Sequence, residues 1–132
     1  MAARLSARKN MASKGVLIVD DNAFVRSSLR RLFEASPEFE VSGEAENGQD
    51  ANAKAKRLKP DLIILDLAMP VMNGLQAAPV LKKMLPEARL ILFTAHNGHP
   101  VEVLAREAGI HAVVPKSQAA SRLITQAQAL LA

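Results

Sequence analysis

Short, fully apolar runs alternate along this chain with longer stretches in which apolar residues recur every three or four positions. Residues 16–19 (VLIV), 62–65 (LIIL) and 90–93 (LILF) are continuous apolar runs. Runs of that length and composition suit strands buried on both faces. Phe39-Glu40-Val41 is weaker and is expected at a sheet edge, and Ala112-Val113-Val114 supplies a fifth strand. Between the runs, Phe24, Val25, Leu29, Leu32 and Phe33 share one helix face, ended by Ser36-Pro37. Ala51, Ala55 and Leu58 form a thin stripe up to Lys59-Pro60. A helix is expected over 75–85, with Pro79 either kinking it or marking its true start. Val101, Leu104, Ala105 and Ala108 make a short helix stopped by Gly109, and Leu123, Ile124, Ala127, Leu130 and Leu131 a last one. Asn47-Gly48 and Asn97-Gly98 read as turns, and 69–74 as a loop.

Strict alternation of five strands and five helices predicts an α/β fold, a parallel sheet covered by helices on both faces. Of the common orders for open sheets, the flavodoxin-like doubly wound (βα)5 arrangement, order 2-1-3-4-5, suits five strands best.

At 132 residues the chain fits one domain with a usable core. Apolar residues are 49%, too many for disorder, while aromatics are only 3%, which argues against stacking platforms for single strands. There is no Cys, which excludes disulfides and thiolate chemistry and permits the cytoplasmic location expected for the chain. No apolar run approaches membrane-spanning length, so no membrane partner is expected.

The net charge of +4 is local. Arg4, Arg8, Lys9 and Lys14 lie in the first fourteen residues with no acid among them. Removing those four from the 17 Lys and Arg leaves 13, matched by 13 Asp and Glu. The body is therefore not expected to bind nucleic acid directly. Residues 1–14 are read as a flexible basic N-terminal extension and 15–132 as the domain.

In such sheets ligands bind beyond the carboxyl ends of the strands, where the strand order reverses. The predicted order puts Asp20 and Asp21 on one side of that crevice and Asp66 on the other, with Thr94 and Lys116 delivered to the same edge. Three carboxylates at close range repel unless a cation intervenes. A hard divalent ion such as Mg²⁺ takes oxygen ligands and needs few carboxylates. With such an ion in place, one carboxylate can act as a nucleophile toward phosphorus, and Lys116 and the Thr94 hydroxyl can meet the phosphoryl oxygens.

Each piece alone has a plainer reading. Asp21-Asn22 could cap the first helix, Asp66 could be a turn residue, and Thr94 and Lys116 ordinary strand ends. Asp61 serves as an internal control. It begins the strand that Asp66 ends, about 16 Å away at the opposite edge, and is given no functional role. His96 is expected to border the cleft as a solvated loop residue, and neither it, His99 nor His111 has metal-ligand spacing. No nucleotide-cradling glycine loop and no serine elbow are present.

The segments VLIVDDN at 16–22, LIILDLAMPVMNG at 62–74, LFTA at 92–95 and VVPKS at 113–117 together resemble the receiver domains of bacterial two-component response regulators. The resemblance spans residues 15–132. It implies Asp66 as phosphoacceptor, with Thr94 as switch hydroxyl and Lys116 pairing with the phosphoryl group. It implies Mg²⁺ held by Asp20, Asp21, Asp66 and the carbonyl of Ala68. The donor would be a phosphohistidine on a sensor histidine kinase or phosphotransfer protein. The chain would be a signalling module that assists its own phosphorylation and dephosphorylation rather than an enzyme with an external substrate. Phosphorylation would repack the face formed by the fourth helix, fifth strand and fifth helix and alter affinity for a downstream partner, with a homodimer left open.

Two positions depart from the family pattern. Val113 stands where an aromatic residue is common. Pro115 precedes Lys116, in the Pro-Lys-Ser form of regulators with a C-terminal helix-turn-helix domain, so the chain is expected to be either a standalone receiver or a fragment lacking its output domain. A phosphorylation-independent docking module and a haloacid-dehalogenase-like phosphatase are the competing readings. The second normally carries its nucleophile on the first strand, with another acid two residues later, unlike Asp20-Asp21.

Overall fold

The computed structural model describes residues 13–96, 98–118 and 120–132. The strands are β1 (Lys14–Val19), β2 (Phe39–Ala45), β3 (Leu62–Leu65), β4 (Arg89–Thr94) and β5 (Ala112–Pro115). They alternate with α1 (Ala23–Glu34), α2 (Gly48–Leu58), α3 (Gly74–Met84), α4 (His99–Glu107) and α5 (Ala120–Leu131). The five-stranded sheet is parallel throughout, in the order β2-β1-β3-β4-β5. This is the doubly wound flavodoxin-like fold expected from the alternation.

Alternate side chains of the apolar runs feed two separate cores. Leu17, Val19, Ile63, Leu65, Leu90 and Leu92 face Ala51 and Ala55 of α2, Ala77, Ala78 and Leu81 of α3, and Ala105 of α4. Val16, Ile18, Leu62, Ile64, Ile91, Phe93 and Val114 face Leu29 and Phe33 of α1 and Leu123 and Ala127 of α5. The Ala stripes of α2 and α3, thin as hydrophobic signals, let those helices sit close to the sheet. On the other layer, Phe33 and Phe39 meet edge to face with centroids 5.1 Å apart.

Several local expectations shift. Strand β2 is at the edge, as expected, but runs on to Ala45 through polar residues. Its pairing with β1 slips by one residue between Val16/Leu17 and Val41/Gly43, leaving Ser42 as the extra residue. Strand β1 begins at Lys14, inside the stretch expected as an extension, where its amide donates to the Glu38 carbonyl at 2.8 Å. The remainder of that extension through residue 12 lies outside the described residues, as does Asn97 of the expected Asn97-Gly98 turn.

The Asn47-Gly48 pair and the end of the expected loop at Asn73-Gly74 are helix starts instead. Asn47 accepts from the amide of Asp50, and Asn73 forms a reciprocal capping box with Gln76. Pro79 does not mark the start of α3, which begins at Gly74 and runs through it. Pro79 sits on the exposed side of the helix, where water can take the carbonyl that loses its intrahelical donor. No helix among the described residues is long and apolar enough to cross a membrane.

Candidate functional site

The crevice forms because β1, β3 and β4 end in register. Val19 pairs with Leu65 and Leu65 with Leu92. The next residue of each strand therefore arrives at the same level, and the amide of Asp66 donates to the Val19 carbonyl at 3.0 Å. Asp20 and Asp66 leave the sheet side by side. Thr94 ends β4 opposite Pro115, and the Lys116 amide donates to the Thr94 carbonyl at 2.9 Å.

Five of the six expected positions have side chains whose placement is informative. Asp20 is 2% exposed, Asp66 7% and Thr94 0%. The Lys116 ammonium lies 2.7 Å from Asp20 Oδ2 and 3.4 Å from Asp66 Oδ2. Carboxylate oxygens of Asp20, Asp21 and Asp66 lie within 4.8 Å of one another. Asp21 is exposed and lines a cleft of about 590 Å³ with Leu67, Ala68, Met69, Pro70, Asn73 and His96. His96 thus borders the cleft as expected, and so does Ala68.

Backbone amides fix two of the carboxylates. Asp20 Oδ1 accepts from the Asn22 amide at 2.9 Å, and Asp66 Oδ1 from the Leu67 amide at 2.8 Å. It is Asn22, not Asp21, that caps α1, accepting from the amides of Phe24 and Val25. The plainer reading of the Asp21-Asn22 pair as a cap therefore holds for Asn22, which leaves Asp21 free to line the cleft. The Thr94 hydroxyl accepts from the His96 amide at 3.0 Å, which ties strand end to following loop. Gly74 belongs to the site too. A Cβ there would run into the backbone carbonyl of Asp66, because its amide folds back onto the Leu67 carbonyl at 3.0 Å.

The electrostatics are unbalanced. Burial and the neighbouring Asp20 carboxylate raise the Asp66 carboxyl above its ordinary value, against the lowering effect of Lys116. Burial works against the Lys116 ammonium, but Asp20 and Asp66 outweigh it and hold its pKa above the ordinary value. Three acids face one lysine. The oxygen-only donor set, the short separations and the excess negative charge fit a hard divalent cation.

Sequence reasoning missed the support behind Asp20. Arg26 donates to the Asp20 carbonyl through Nη1 at 2.6 Å and to Glu44 through Nε at 3.0 Å. Glu44 also pairs with Arg30 at 2.6 Å, and Lys54 donates to its carbonyl at 2.6 Å. Nothing in the spacing of Arg26, Glu44 and Lys54 announces that clamp. Asp61, the internal control, sits at the opposite edge, where its Oδ2 accepts from the Gly15 amide at 2.8 Å.

The response regulator receiver domain family matches the chain over residues 16–128. The chemotaxis protein CheY of Thermotoga maritima is 39% identical over 111 residues, covering 84% of this chain and 92% of that protein. The response regulator protein VraR of Staphylococcus epidermidis is 36% identical over 80% of this chain, a stretch that is 51% of its own length. A protein-glutamate methylesterase/protein-glutamine glutaminase of Methanosarcina mazei is 40% identical over 77% of this chain, and there the match is only 29% of the relative. Among solved structures, a two-component response regulator of the LuxR family from Aurantimonas superposes with a TM-score of 0.86 at 31% identity, over 90% of this chain and 85% of that one. The response regulator domain of Thermotoga maritima CheB superposes at 0.83 and 30%, over 91% and 98%.

Proposed function

The chain belongs to the response regulator receiver domain family, and on that premise we propose that it is a phosphoacceptor switch in which Asp66 is esterified by a phosphoryl group. The observation that carries this reading is the gathering of Asp20, Asp21, Asp66 and Lys116 at one rim, with carboxylate oxygens inside 4.8 Å.

In the proposed step a carboxylate oxygen of Asp66 attacks the phosphorus of a phosphohistidine on a sensor kinase or phosphotransfer protein. A P–O bond forms, the P–N bond breaks, and its electron pair returns to the donor imidazole. The Leu67 amide fixes the plane of the Asp66 carboxylate before attack. Asp20, Asp21, Asp66 and the Ala68 carbonyl would hold Mg²⁺, whose charge offsets the repulsion that raises the Asp66 carboxyl and neutralises the incoming oxygens. Lys116, held between Asp20 and Asp66, turns to a phosphoryl oxygen. The Thr94 hydroxyl accepts from His96, so its own proton is available to donate to another. That movement draws on the loop leading into α4 and repacks α4, β5 and α5 through a population shift. Val113, half-buried on β5, offers no aromatic ring to relay the change, which favours a direct pull through the loop. The downstream partner or output domain would read that face.

The test is intact-mass analysis after incubation with acetyl phosphate and Mg²⁺. A labile single-phosphoryl adduct is expected on the wild type and none on Asp66→Asn, with Lys116→Ala retaining the adduct but losing the amide shifts of α4 and α5. A folded protein that forms no adduct supports the phosphorylation-independent docking reading, which the intact Asp20, Asp21, Asp66, Thr94 and Lys116 set disfavours and Val113 leaves open. Sustained hydrolysis of an external phosphoester supports a phosphatase.

A further inference from the structure

At the amino-end rim of the sheet, three cationic or ring nitrogens from three elements converge. Lys82 near the end of α3 places Nζ 3.3 Å from His111 Nε2. Arg89, the first residue of β4, places Nη1 3.5 Å from the same atom. His111 precedes β5, and its Nδ1 accepts from the Leu90 amide at 3.0 Å. That last bond decides the tautomer. With Nδ1 accepting, the neutral ring carries its proton on Nε2. Nε2–H, the Lys82 ammonium and the Arg89 guanidinium then face one another as donors, with no acceptor among them.

The two cations are held there by other contacts. Lys82 Nζ donates to the Pro86 carbonyl at 3.0 Å, and its stem runs against Gly109, where a Cβ would lie 3.2 Å from Lys82 Cγ. Arg89 Nε donates to the Leu130 carbonyl of α5 at 3.2 Å. Each tether leaves other N–H groups free to turn toward His111. All three side chains are half-buried. From α4, Arg106 and Glu102 line a cleft of about 160 Å³ with His111, and Glu102 forms no ion pair with any of the three. Burial, Lys82 and Arg89 together lower the His111 pKa, which favours the neutral ring.

We propose that Lys82, Arg89 and His111 form a binding site for a small tetrahedral oxyanion, inorganic phosphate being the simplest. Three donors from different directions match an anion with three or more acceptor oxygens better than a carboxylate with two. The site is independent of the phosphoacceptor reading, since it lies at the opposite rim and shares no residue with it. A bound oxyanion would link α3, β4, the start of β5 and, through Arg89, α5.

The test combines NMR of the His111 ring nitrogens with thermal unfolding in phosphate, using chloride and acetate at matched ionic strength as comparisons. The expected results are an Nε2–H tautomer and saturable phosphate-dependent shifts at His111 and Leu90. A rise in Tm of about 3 °C or more is also expected at saturating phosphate, retained in Asp66→Asn and lost in Lys82→Gln. The proposal is overturned by an Nδ1–H tautomer, by shifts or Tm changes that chloride or acetate reproduce, by persistence of the effect in Lys82→Gln, or by its loss in Asp66→Asn. Should Lys82→Gln fail to fold, the tautomer and the wild-type titration still decide the matter.

Discussion

The two rims of one sheet carry opposite imbalances. At the carboxyl end, Asp20, Asp21 and Asp66 crowd around Lys116 and have more acceptors than cations. At the amino end, Lys82, Arg89 and His111 have donors and no acid between them. In two other clusters the charge is answered locally. Glu44 is paired with Arg26 and Arg30, and that pairing outweighs the effect of burial and lowers its pKa. Asp50 is paired with Lys54. Half-buried like charges are costly to leave together. Where a fold keeps them, a counter-charge from outside the chain would relieve the imbalance.

The largest expected effect breaks the acid rim by its backbone. Gly74→Ala places a methyl group against the Asp66 carbonyl and is expected to destabilise by about 2–4 kcal/mol, read by urea unfolding. The amino-end cluster, far from that turn, should keep its NMR signature in whatever fraction stays folded. An unchanged midpoint would mean the rim tolerates a looser loop than the close approach implies.

Next comes the contrast within the amino rim. Asp61 there joins the starts of β1, β3 and β4 through its Oδ2, amide and carbonyl. Asp61→Ala removes the acceptor for the Gly15 amide and is expected to cost about 1–2 kcal/mol, while Asp61→Asn, which keeps an oxygen, should cost less. Equal losses in the two variants would show that charge, not the hydrogen bond, is what matters there.

The fold was legible from the runs themselves, because 16–19, 62–65 and 90–93 are apolar at every position and so commit to a two-faced core. The acids that end those runs placed the candidate site, and Asp61 was set apart by distance along one strand. What resisted reading depended on contacts between distant residues. The polar half of β2 forms because Ser42 bulges and Gly43 passes under Leu58, which no periodicity signals. The Asn-Gly pairs at 47–48 and 73–74 look like turns, and only packing makes them helix starts. Lys82 and His111 are 29 residues apart and carry no motif, so the donor cluster appears only once α3 and β5 are side by side.

A smaller effect comes from titration, and its sign differs between the rims. Asp66 has a folded pKa above the ordinary 3.8, so its ionisation subtracts stability. In cation-free buffer, stability should rise as pH falls through that raised pKa. Asp66→Asn should then be more stable than the wild type at neutral pH, read as a higher Tm. His111 has a folded pKa below 6.5. Stability should therefore fall as pH drops below 6.5, because the unfolded chain takes up the proton first. His111→Asn should flatten that slope. Thermal melts of both variants across pH check the pair. Matching slopes at the two rims would remove the contrast.

The most direct measurement is a Mg²⁺ titration of the isotopically labelled protein followed by amide NMR. Saturable shifts are expected at Asp21, Asp66, Leu67 and Ala68, with affinity weakened about tenfold or more in Asp21→Asn. Shifts that never saturate, or an affinity that Asp21→Asn leaves unchanged, would contradict a cation shared among the three acids.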